Sequence, residues 1–375
     1  MQIGDFQHLL KQRREGETVR IAVDCMGGDY APREIVRGAI QGGKIYNAHL
    51  YLVGNPAAIQ AELDLIEDKG GVHYEIVPAS EVIEMGEHPA TAIRKKKDAS
   101  IVVACNLVGD KIAQGVVAAG STGAAMTAAI FRIGRIEGID RPAIAVVLPS
   151  TKPRHAILVD AGANSDCLPE MLVQFAKMGS VFSKEAFGVE NPRVGLLNIG
   201  EEATKGNSLY VLTHKLLEQQ GDLNFTGNVE GKHMFNDTVD VVVCDGFTGN
   251  IALKTAEGVG NMVTTFMKEE LTQGLRIKAG VLLAKNAFKS IKRRVSDEDY
   301  GGALLLGIKG ICVIGHGRSN AYAVSNAIRV TRDAILQDVV GKIEQTVLKT
   351  HHDLHHPAAA DIPSNPSVTP SYEAS

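Results

Sequence analysis

Six short glycine-containing segments carry most of the residues that could do chemistry. Each follows an apolar run typical of a buried strand, and the segments are residues 24–32, 118–124, 160–164, 198–206, 244–250 and 314–320. Glycine lets the backbone turn sharply and bring its N–H groups close to a ligand. Hydroxyl groups and cations also lie in these segments, at Ser121, Thr122, Thr248, Lys205 and Arg318. Amide donors, hydroxyls and cations together indicate a site for phosphate.

The first of these segments shows the pattern most fully. Residues 21–23 predict a buried strand, and Gly27 and Gly28 predict a tight turn. Pro32 and Glu34 suit the first turn of a helix. Strand, glycine turn and helix is the arrangement with which α/β proteins build anion sites.

A single segment of this kind could be no more than a tight turn. Asp24 and Asp245 could accept hydrogen bonds from the N–H groups of their own turns, and Asn250 could cap a helix. Lys205 could be a solvated lysine, and His316 could be a histidine of the core or of its turn. Six polar glycine turns favour a shared site instead. We therefore predict that the residues binding phosphate or the rest of the substrate are Asp24, Gly27, Gly28, Gly120, Ser121, Thr122, Asn164, Asp245, Thr248 and Arg318.

The glycine segments match neither of two common nucleotide motifs. Between Gly200 and Gly206 the lysine precedes the second glycine, whereas the lysine of a P-loop follows it. The segment around Gly315 and Gly317 lacks the third glycine of the dinucleotide fingerprint. The sequence therefore indicates phosphate but not clearly ATP or NAD, and we predict no cofactor.

Composition narrows the possible partners. The 375-residue chain has a net charge of −4, 5% aromatic residues and no tryptophan, which argues against nucleic acid. The five cysteines are odd in number, lie far apart and form no Cys-x-x-Cys pair. We therefore predict neither a disulfide framework nor a metal site, and the usage fits a reduced, cytoplasmic compartment.

Two segments were candidates for membrane or export signals. Residues 1–20 lack the apolar core of a signal peptide. Residues 112–131 carry no charge over most of a bilayer-spanning length, but they are rich in glycine, serine and threonine. We predict strand, polar turn and helix there, not a membrane span.

From residue 19 onwards, apolar strands alternate with helical stretches such as residues 168–187 and 208–220. Ten strands are predicted, at residues 20–24, 49–54, 73–77, 115–119, 143–148, 155–160, 193–198, 224–227, 239–244 and 310–314. This alternation predicts α/β layers around a mainly parallel sheet. Because ligands bind beyond the carboxyl ends of parallel strands, we expect all six glycine turns at one edge, lining one cleft.

Residues 271–295 combine an apolar stripe with dense positive charge. The stripe residues follow one another at steps of three and four, which predicts one helix face: Val281, Ala284, Phe288, Ile291 and Val295. Basic residues surround the stripe, and no acidic residue occurs before Asp297. Such a helix could lie on an anionic membrane or dock an acidic carrier protein. It could equally pack its stripe on the core or on a second subunit.

Taken in order, the motifs resemble those of a known family. Residues 23–32, 119–124, 159–164, 198–206, 245–250 and 315–320 are similar to successive motifs of the PlsX-type phosphate acyltransferases of bacterial phospholipid synthesis. The resemblance covers roughly residues 20–342. Cys25 and Tyr30 stand where alanine and histidine are more usual in that family.

The resemblance implies a fold, a reaction and partners. The fold would be the three-layer α/β/α architecture shared with isocitrate and isopropylmalate dehydrogenases and phosphate acetyltransferases. The enzyme would transfer a fatty acyl group from acyl carrier protein to inorganic phosphate, and a membrane glycerol-3-phosphate acyltransferase would use the acyl phosphate. It would be a cytoplasmic homodimer associated peripherally with the membrane. The residues expected at the membrane or carrier surface are Lys285, Phe288, Lys289, Lys292 and Arg293.

Phosphate is itself a nucleophile, so this reaction needs no covalent serine or cysteine. The resemblance implies Lys205 and Asn250 as catalytic residues. Lys205 would neutralise charge on the phosphate or the oxyanion, and Asn250 would donate to the oxyanion. His316 is a candidate for protonating the leaving thiol, and phosphate would lie against Gly27, Gly28 and residues 120–122.

Three other functions stay open at this point. They are a phosphate acetyltransferase acting on acetyl-CoA, an NAD-dependent hydroxy-acid dehydrogenase, and a non-catalytic phosphate-binding scaffold of lipid synthesis. For the domains, we expect an extension over residues 1–18 and an acyltransferase domain over 19–345, which could form two lobes around a cleft. The His- and Pro-rich tail over 346–375 is expected to be disordered.

Overall fold

A single eleven-stranded sheet forms the centre of the protein. The computed structural model describes residues 18–151, 155–284, 287 and 297–355. The strands are β1 Val19–Asp24, β2 Ala48–Gly54, β3 Tyr74–Pro78, β4 Gly115–Ala118, β5 Ala143–Leu148, β6 Ala156–Val159, β7 Arg193–Leu197, β8 Asn224–Val229, β9 Val241–Val243, β10 Ala303–Leu306 and β11 Ile311–Ile314. All ten predicted strands are present. The unpredicted one is β10, a run of only four apolar residues preceded by two glycines.

The sheet consists of two parallel blocks that run in opposite directions. The first block is β3-β2-β1-β4-β11, and the second is β6-β9-β7-β8. Between them lie β10 and β5, each antiparallel to both of its neighbours. Three successive antiparallel joins therefore reverse the strand direction from one block to the other. The prediction of a mainly parallel sheet is confirmed.

The prediction that all six glycine turns share one edge is wrong. The turns after β1, β4 and β11 lie at the carboxyl edge of the first block, whereas those after β6, β7 and β9 lie at the carboxyl edge of the second. These are opposite edges of the sheet because three antiparallel joins, an odd number, separate the two blocks.

Helices cover both faces of the sheet. Strands β4, β6, β9 and β11 bury every residue, and successive residues of a strand point to opposite faces. The helices are α1 Arg33–Tyr46, α2 Pro56–Asp64, α3 Pro89–Lys95, α4 Ser100–Gly109, α5 Thr122–Arg132, α6 Pro169–Phe187, α7 Ser208–Glu218, α8 Gly246–Leu271, α9 Gly274–Leu283, α10 Ala321–Leu336 and α11 Val339–His355. The result is the expected three-layer α/β/α arrangement.

Several expectations fall at or beyond the limits of the described residues. Helix α11 continues to His355, so the tail expected from residue 346 begins as helix. Residues 1–17 and 356–375 lie outside the described part of the chain, as do Lys285, Phe288, Lys289, Lys292 and Arg293. Residues 112–131 contain β4, a turn and α5, as predicted. Within the described residues, no helix has both the length and the apolar character needed to cross a bilayer.

Helices α1 and α10 pack so closely that glycine is needed at their contact. A Cβ atom on Gly38 would lie 2.6 Å from the Cβ of Val324 and would also clash with the Ala321 carbonyl oxygen. The N–H of Ala321 donates to the Glu34 carboxylate at 2.9 Å, which ties the starts of the two helices together.

We expect Gly38→Ala to destabilise the protein by about 1–3 kcal/mol, because the added methyl group forces α1 and α10 apart. The matched control is Gly258→Ala in α8, where a Cβ would meet nothing within 4 Å. That change should be neutral or stabilising by up to about 1 kcal/mol, since alanine is the better helix former. Equilibrium unfolding in urea measures both, and equal midpoints for the two variants would contradict the close contact.

Candidate functional site

The turns after β1, β4 and β11 pack against one another and form what we call the first loop cluster: residues 24–29, 119–122 and 315–319. A Cβ on Gly27 would lie 3.1 Å from the Cα of Gly120. A Cβ on Gly28 would lie 2.8 Å from the Ala119 carbonyl oxygen, and this glycine has φ +105°. The N–H of Asp29 donates to the Gly317 carbonyl at 2.7 Å. Predicted residues from three separate segments are thus brought together.

Asp24 lies beneath this cluster and serves its own turn. Its carboxylate is 3% exposed and accepts from the N–H of Met26 at 3.2 Å. Burial raises the pKa of Asp24, and hydrogen bonds from Ser100, Met26 and Gly27 oppose the rise. Asp24 therefore accepts a hydrogen bond from an N–H group of its own turn, the simpler of the two roles considered for it. Direct contact of Asp24 with a ligand stays a prediction.

Helix α5 directs its N-terminus into the first loop cluster. Ser121 caps the helix, because its Oγ accepts from the N–H of Ala124 at 3.4 Å, and Thr122 is the first helical residue. Free N–H groups and the helix dipole make such an end favourable for an anion.

A cavity of about 70 Å³ opens beside the first loop cluster. Its walls are the ends of β4 and β11, the start of α10, and a loop before β10. His316 and Arg318 line it, together with Gly301 and Gly302. The glycine pair was missed in the sequence because it precedes a strand instead of following one. The Oγ of Ser319 donates to the His316 carbonyl at 2.6 Å, which fixes this turn.

The turns after β6, β7 and β9 form the second loop cluster: residues 160–164, 198–206 and 245–250. Asp160 is fully buried at its base. Its carboxylate accepts from the backbone N–H groups of Ile144, Gly162, Ala163 and Asn164, and from the side-chain amide of Asn164. Burial raises the pKa of Asp160, while these donors lower it. The amide of Asn164 also donates to the Pro142 carbonyl, so both of its recorded bonds are structural.

Asn250 and Lys205 occupy more open positions in the second loop cluster. A Cβ on Gly162 would lie 3.5 Å from the Asn250 side chain, so Asn250 sits directly beside the 160–164 turn. Asn250 itself is exposed. The Lys205 side chain is 47% exposed, and its Nζ is 4.0 Å from a Glu202 carboxylate oxygen. A loosely paired ammonium group and an exposed amide can both bind an incoming ligand.

Asp245 and Thr248 bind each other at the start of α8. Asp245 accepts from the N–H of Thr248 at 2.8 Å and from its hydroxyl at 2.7 Å. Asp245 therefore caps α8, as its alternative interpretation proposed. The predicted binding role of these two residues stays a prediction.

Helix α8 connects the two loop clusters. It begins at the second cluster, and its Glu257 approaches His316 of the first cluster, with Nε2 and Oε1 3.6 Å apart. Asn250 and Glu257 are two helical turns apart, a rise of about 10 Å. Sequence reasoning missed Glu257, although its spacing of seven residues from Asn250 places both on one helix face.

None of the five cysteines is suited to act as a nucleophile. Cys25, Cys105, Cys244 and Cys312 are buried, and burial raises the pKa of each thiol. Cys167 is partly exposed, but burial and the nearby Asp160 raise its pKa to about 11. Nucleophilic cysteines have lowered pKa values. Among the described residues there is also no cluster of His, Cys, Asp and Glu side chains able to hold a metal ion.

Solved structures share this architecture. A phosphotransacetylase from Streptococcus pyogenes aligns with a TM-score of 0.62 and 16% identity, covering 90% of this chain and 99% of that one. The EutD phosphotransacetylase from Staphylococcus aureus aligns with a TM-score of 0.57 and 16% identity, covering 89% and 99%. At such low identity the likeness shows the fold, which is the α/β architecture of phosphotransacetylases.

Sequence comparison then gives the family. The model of the family described as "Fatty acid synthesis protein" matches residues 19–342. A phosphate acyltransferase from Pelotomaculum thermopropionicum is 50% identical over 335 residues, covering 88% of this chain and 97% of that protein. One from Trichodesmium erythraeum is 47% identical over 330 residues, covering 88% and 96%. This chain belongs to that fatty acid synthesis protein family, and the resemblance inferred from its motifs is confirmed.

The raised thiol pKa values predict slow alkylation of the native protein. With a pKa of about 11, Cys167 should react with iodoacetamide about tenfold faster for each pH unit between 7 and 10, because only the thiolate reacts. Mass spectrometry of the labelled protein measures the rate, and the four buried cysteines should react only in urea. Cys167→Ala should retain wild-type turnover. Rapid alkylation at pH 7 that abolishes activity would contradict these assignments.

Proposed function

We propose that this protein transfers a fatty acyl group from acyl carrier protein to inorganic phosphate, releasing acyl phosphate and the free carrier. It is an acyltransferase of the fatty acid synthesis protein family. The observation that best supports direct transfer is the combination of closely packed glycine turns with five cysteines that are all buried or partly buried. Such a site binds an anion without offering a thiolate that could form an acyl enzyme.

In the proposed reaction a phosphate oxygen attacks the thioester carbonyl. The new C–O bond forms a tetrahedral oxyanion, the C–S bond then breaks, and the thiolate takes up a proton. Phosphate would lie against Gly27, Gly28 and residues 120–122, with Arg318 nearby. Lys205 would neutralise negative charge, Asn250 would donate to the oxyanion, and His316 would protonate the thiol.

The presence of polar groups on two loop clusters fits this assignment. The phosphate and the carbonyl must lie side by side between donors on opposite sides, and each hydrogen bond spans about 3 Å. Glu257 would orient His316, which it approaches at 3.6 Å. The reacting carbonyl would therefore lie alongside the first three turns of α8.

Partners and location follow from the same proposal. Helix α8 exposes a row of large apolar side chains, Phe247, Ile251, Val259, Met262, Val263 and Phe266, which would pack on a second copy of the chain. The protein would work in the cytoplasm at the membrane surface. There it would pass acyl phosphate to a membrane glycerol-3-phosphate acyltransferase.

The reaction itself is tested by incubating the purified protein with acyl carrier thioester and phosphate and measuring acyl phosphate as hydroxamate. Formation of free carrier and hydroxamate in equal amounts supports the proposal. Preference for acetyl-CoA would instead indicate an acetyltransferase, and phosphate binding without turnover would indicate a scaffold.

Lys205→Ala and Asn250→Ala should each lower kcat by about 10²–10³, the usual cost of one lost oxyanion or charge-stabilising group. The matched controls are Lys184→Ala, whose side chain is 48% exposed at the end of α6, and Asn261→Ala, which is exposed further along α8. Both controls should keep near wild-type turnover in the hydroxamate assay. Near-normal activity of both site variants would refute their catalytic roles.

The positively charged segment at residues 271–295 is expected to contact the membrane or the acyl carrier protein. Charge reversal at Lys289, Lys292 and Arg293 should weaken sedimentation with anionic liposomes, because each basic residue near such a surface contributes about 1 kcal/mol. It should also raise the KM for acyl carrier protein. Zwitterionic liposomes provide the control. If liposome sedimentation and the KM for acyl carrier protein were both unchanged, these three residues would contact neither the membrane nor the carrier.

A further inference from the structure

Tyr210 lies between the two loops that carry Lys205 and Asn250. It belongs to the first turn of α7, five residues after Lys205, and is only 6% exposed. Its hydroxyl donates to the Asp245 carboxylate at 2.6 Å. The same oxygen accepts from the N–H of Asp245 at 3.4 Å. Tyr210 and Asp245 are therefore joined by two hydrogen bonds, and each residue is the donor in one of them.

On one side this bond fixes the start of α8. Asp245 is the N-cap of that helix, and both of its carboxylate oxygens bind Thr248. The N–H of Gly249 donates to the Asp245 carbonyl at 2.9 Å. A shift of Asp245 would therefore move the first turn of α8, and Asn250 with it.

Tyr210 also contacts the residues that follow Lys205 in its loop. Its N–H donates to the Asn207 side chain at 3.3 Å, and a Cβ on Gly206 would lie 2.9 Å from the Tyr210 Cβ. The Asn198 side chain donates to the Lys205 carbonyl at 3.0 Å. The backbone that carries Lys205 is thus pinned on both sides of the lysine.

The hydroxyl of Tyr210 is a permanent donor. Burial, reinforced by the neighbouring Cys244 and Asp245, raises the pKa of Tyr210, so the phenol keeps its proton throughout the working pH range. Asp245 is only 7% exposed, and a hydrogen bond to a buried carboxylate is about twice as strong as one between neutral groups.

We propose that Tyr210 is a positioning residue that sets the relative placement of Lys205 and Asn250 through its bond to Asp245. The proposal rests on the function proposed above, in which these two side chains stabilise the reacting phosphate and carbonyl. Tyr210 does not touch the substrate in this role. Losing its hydroxyl should therefore lower the rate of the chemical step and leave phosphate binding by the first loop cluster intact.

The test compares Tyr210→Phe with wild type in the hydroxamate assay. We expect kcat to fall on the order of 10- to 100-fold, the usual effect of removing one hydrogen bond to a charged group, with the KM for phosphate changed less than twofold. The matched control is Tyr51→Phe in β2, which is 8% exposed and lies in the first block. A loss of thermal stability in both variants with kcat retained would show a purely structural role.

A double-mutant cycle with Lys205→Ala gives a sharper readout. If Tyr210 acts by placing Lys205 and Asn250, then adding Tyr210→Phe to Lys205→Ala should lower kcat by clearly less than it does in wild type. Full additivity would overturn the proposal, as would Tyr210→Phe with wild-type kcat. Should Tyr210→Phe not fold, Asp245→Asn weakens the same bond and is expected to lower kcat likewise.

Hydrogen exchange separates this inference from the proposed function. The amides of Thr248 and Gly249 should exchange faster in Tyr210→Phe than in wild type, and unchanged protection would contradict the link between the two loops. A wild-type protein that forms no acyl phosphate would overturn the proposed function, and the positioning role with it. Faster exchange in that case would still show that Tyr210 joins the loops.

Discussion

A sheet reverses its direction only where strands pair antiparallel. Here β10 opposes both β11 and β5, and the pairing of β5 with β6 supplies the net reversal. Every other pairing is parallel, so the position of each glycine turn depends on which side of these two strands it lies. The reversal divides the polar turns into two clusters at opposite edges. In the proposed function, helix α8 would join the two clusters into one site, because it starts at the second cluster and its Glu257 approaches His316 of the first.

Much of the architecture could be predicted because it is encoded locally. Buried strands are continuous apolar runs, and each glycine turn follows directly from its own strand. The direction of a strand depends instead on its pairing, which the apolar run itself does not record, even for the neighbours β5 and β6. The two-edged layout, which results from the antiparallel pairing of β5 with β6, went unpredicted for that reason. Strand β10, with only Ala303–Leu306, went unpredicted because its apolar run is so short. Glu257 was missed for a related reason, since its approach to His316 joins segments that are distant in the sequence.

The buried aspartates show how such turns are built. Asp24 is the last residue of β1, and Asp160 and Asp245 follow β6 and β9. Each accepts hydrogen bonds from N–H groups of its own turn. A carboxylate in this position stabilises a tight backbone and holds the neighbouring amides in fixed directions. Sequence alone could not separate this supporting task from ligand binding, because both call for a polar residue at a strand end. The structure adds their exposure: the three aspartates are buried, whereas the proposed catalytic residues Lys205 and Asn250 are exposed.

Helix α8 is buried only at its start. Of its 26 residues, the buried ones are Gly246 and Gly249, both in the first turn. The remaining length is about 33 Å, so a small tilt of the helix about its first turn, beside Asn250, produces a large displacement at its far end. A tilt of 5° about the first turn moves Leu271 by about 3 Å. Conversely, a partner that holds the far end of the helix to within 1 Å fixes the direction of the helix axis to about 2°. Contacts made at the far end of α8 would therefore determine the direction of the helix beside Asn250.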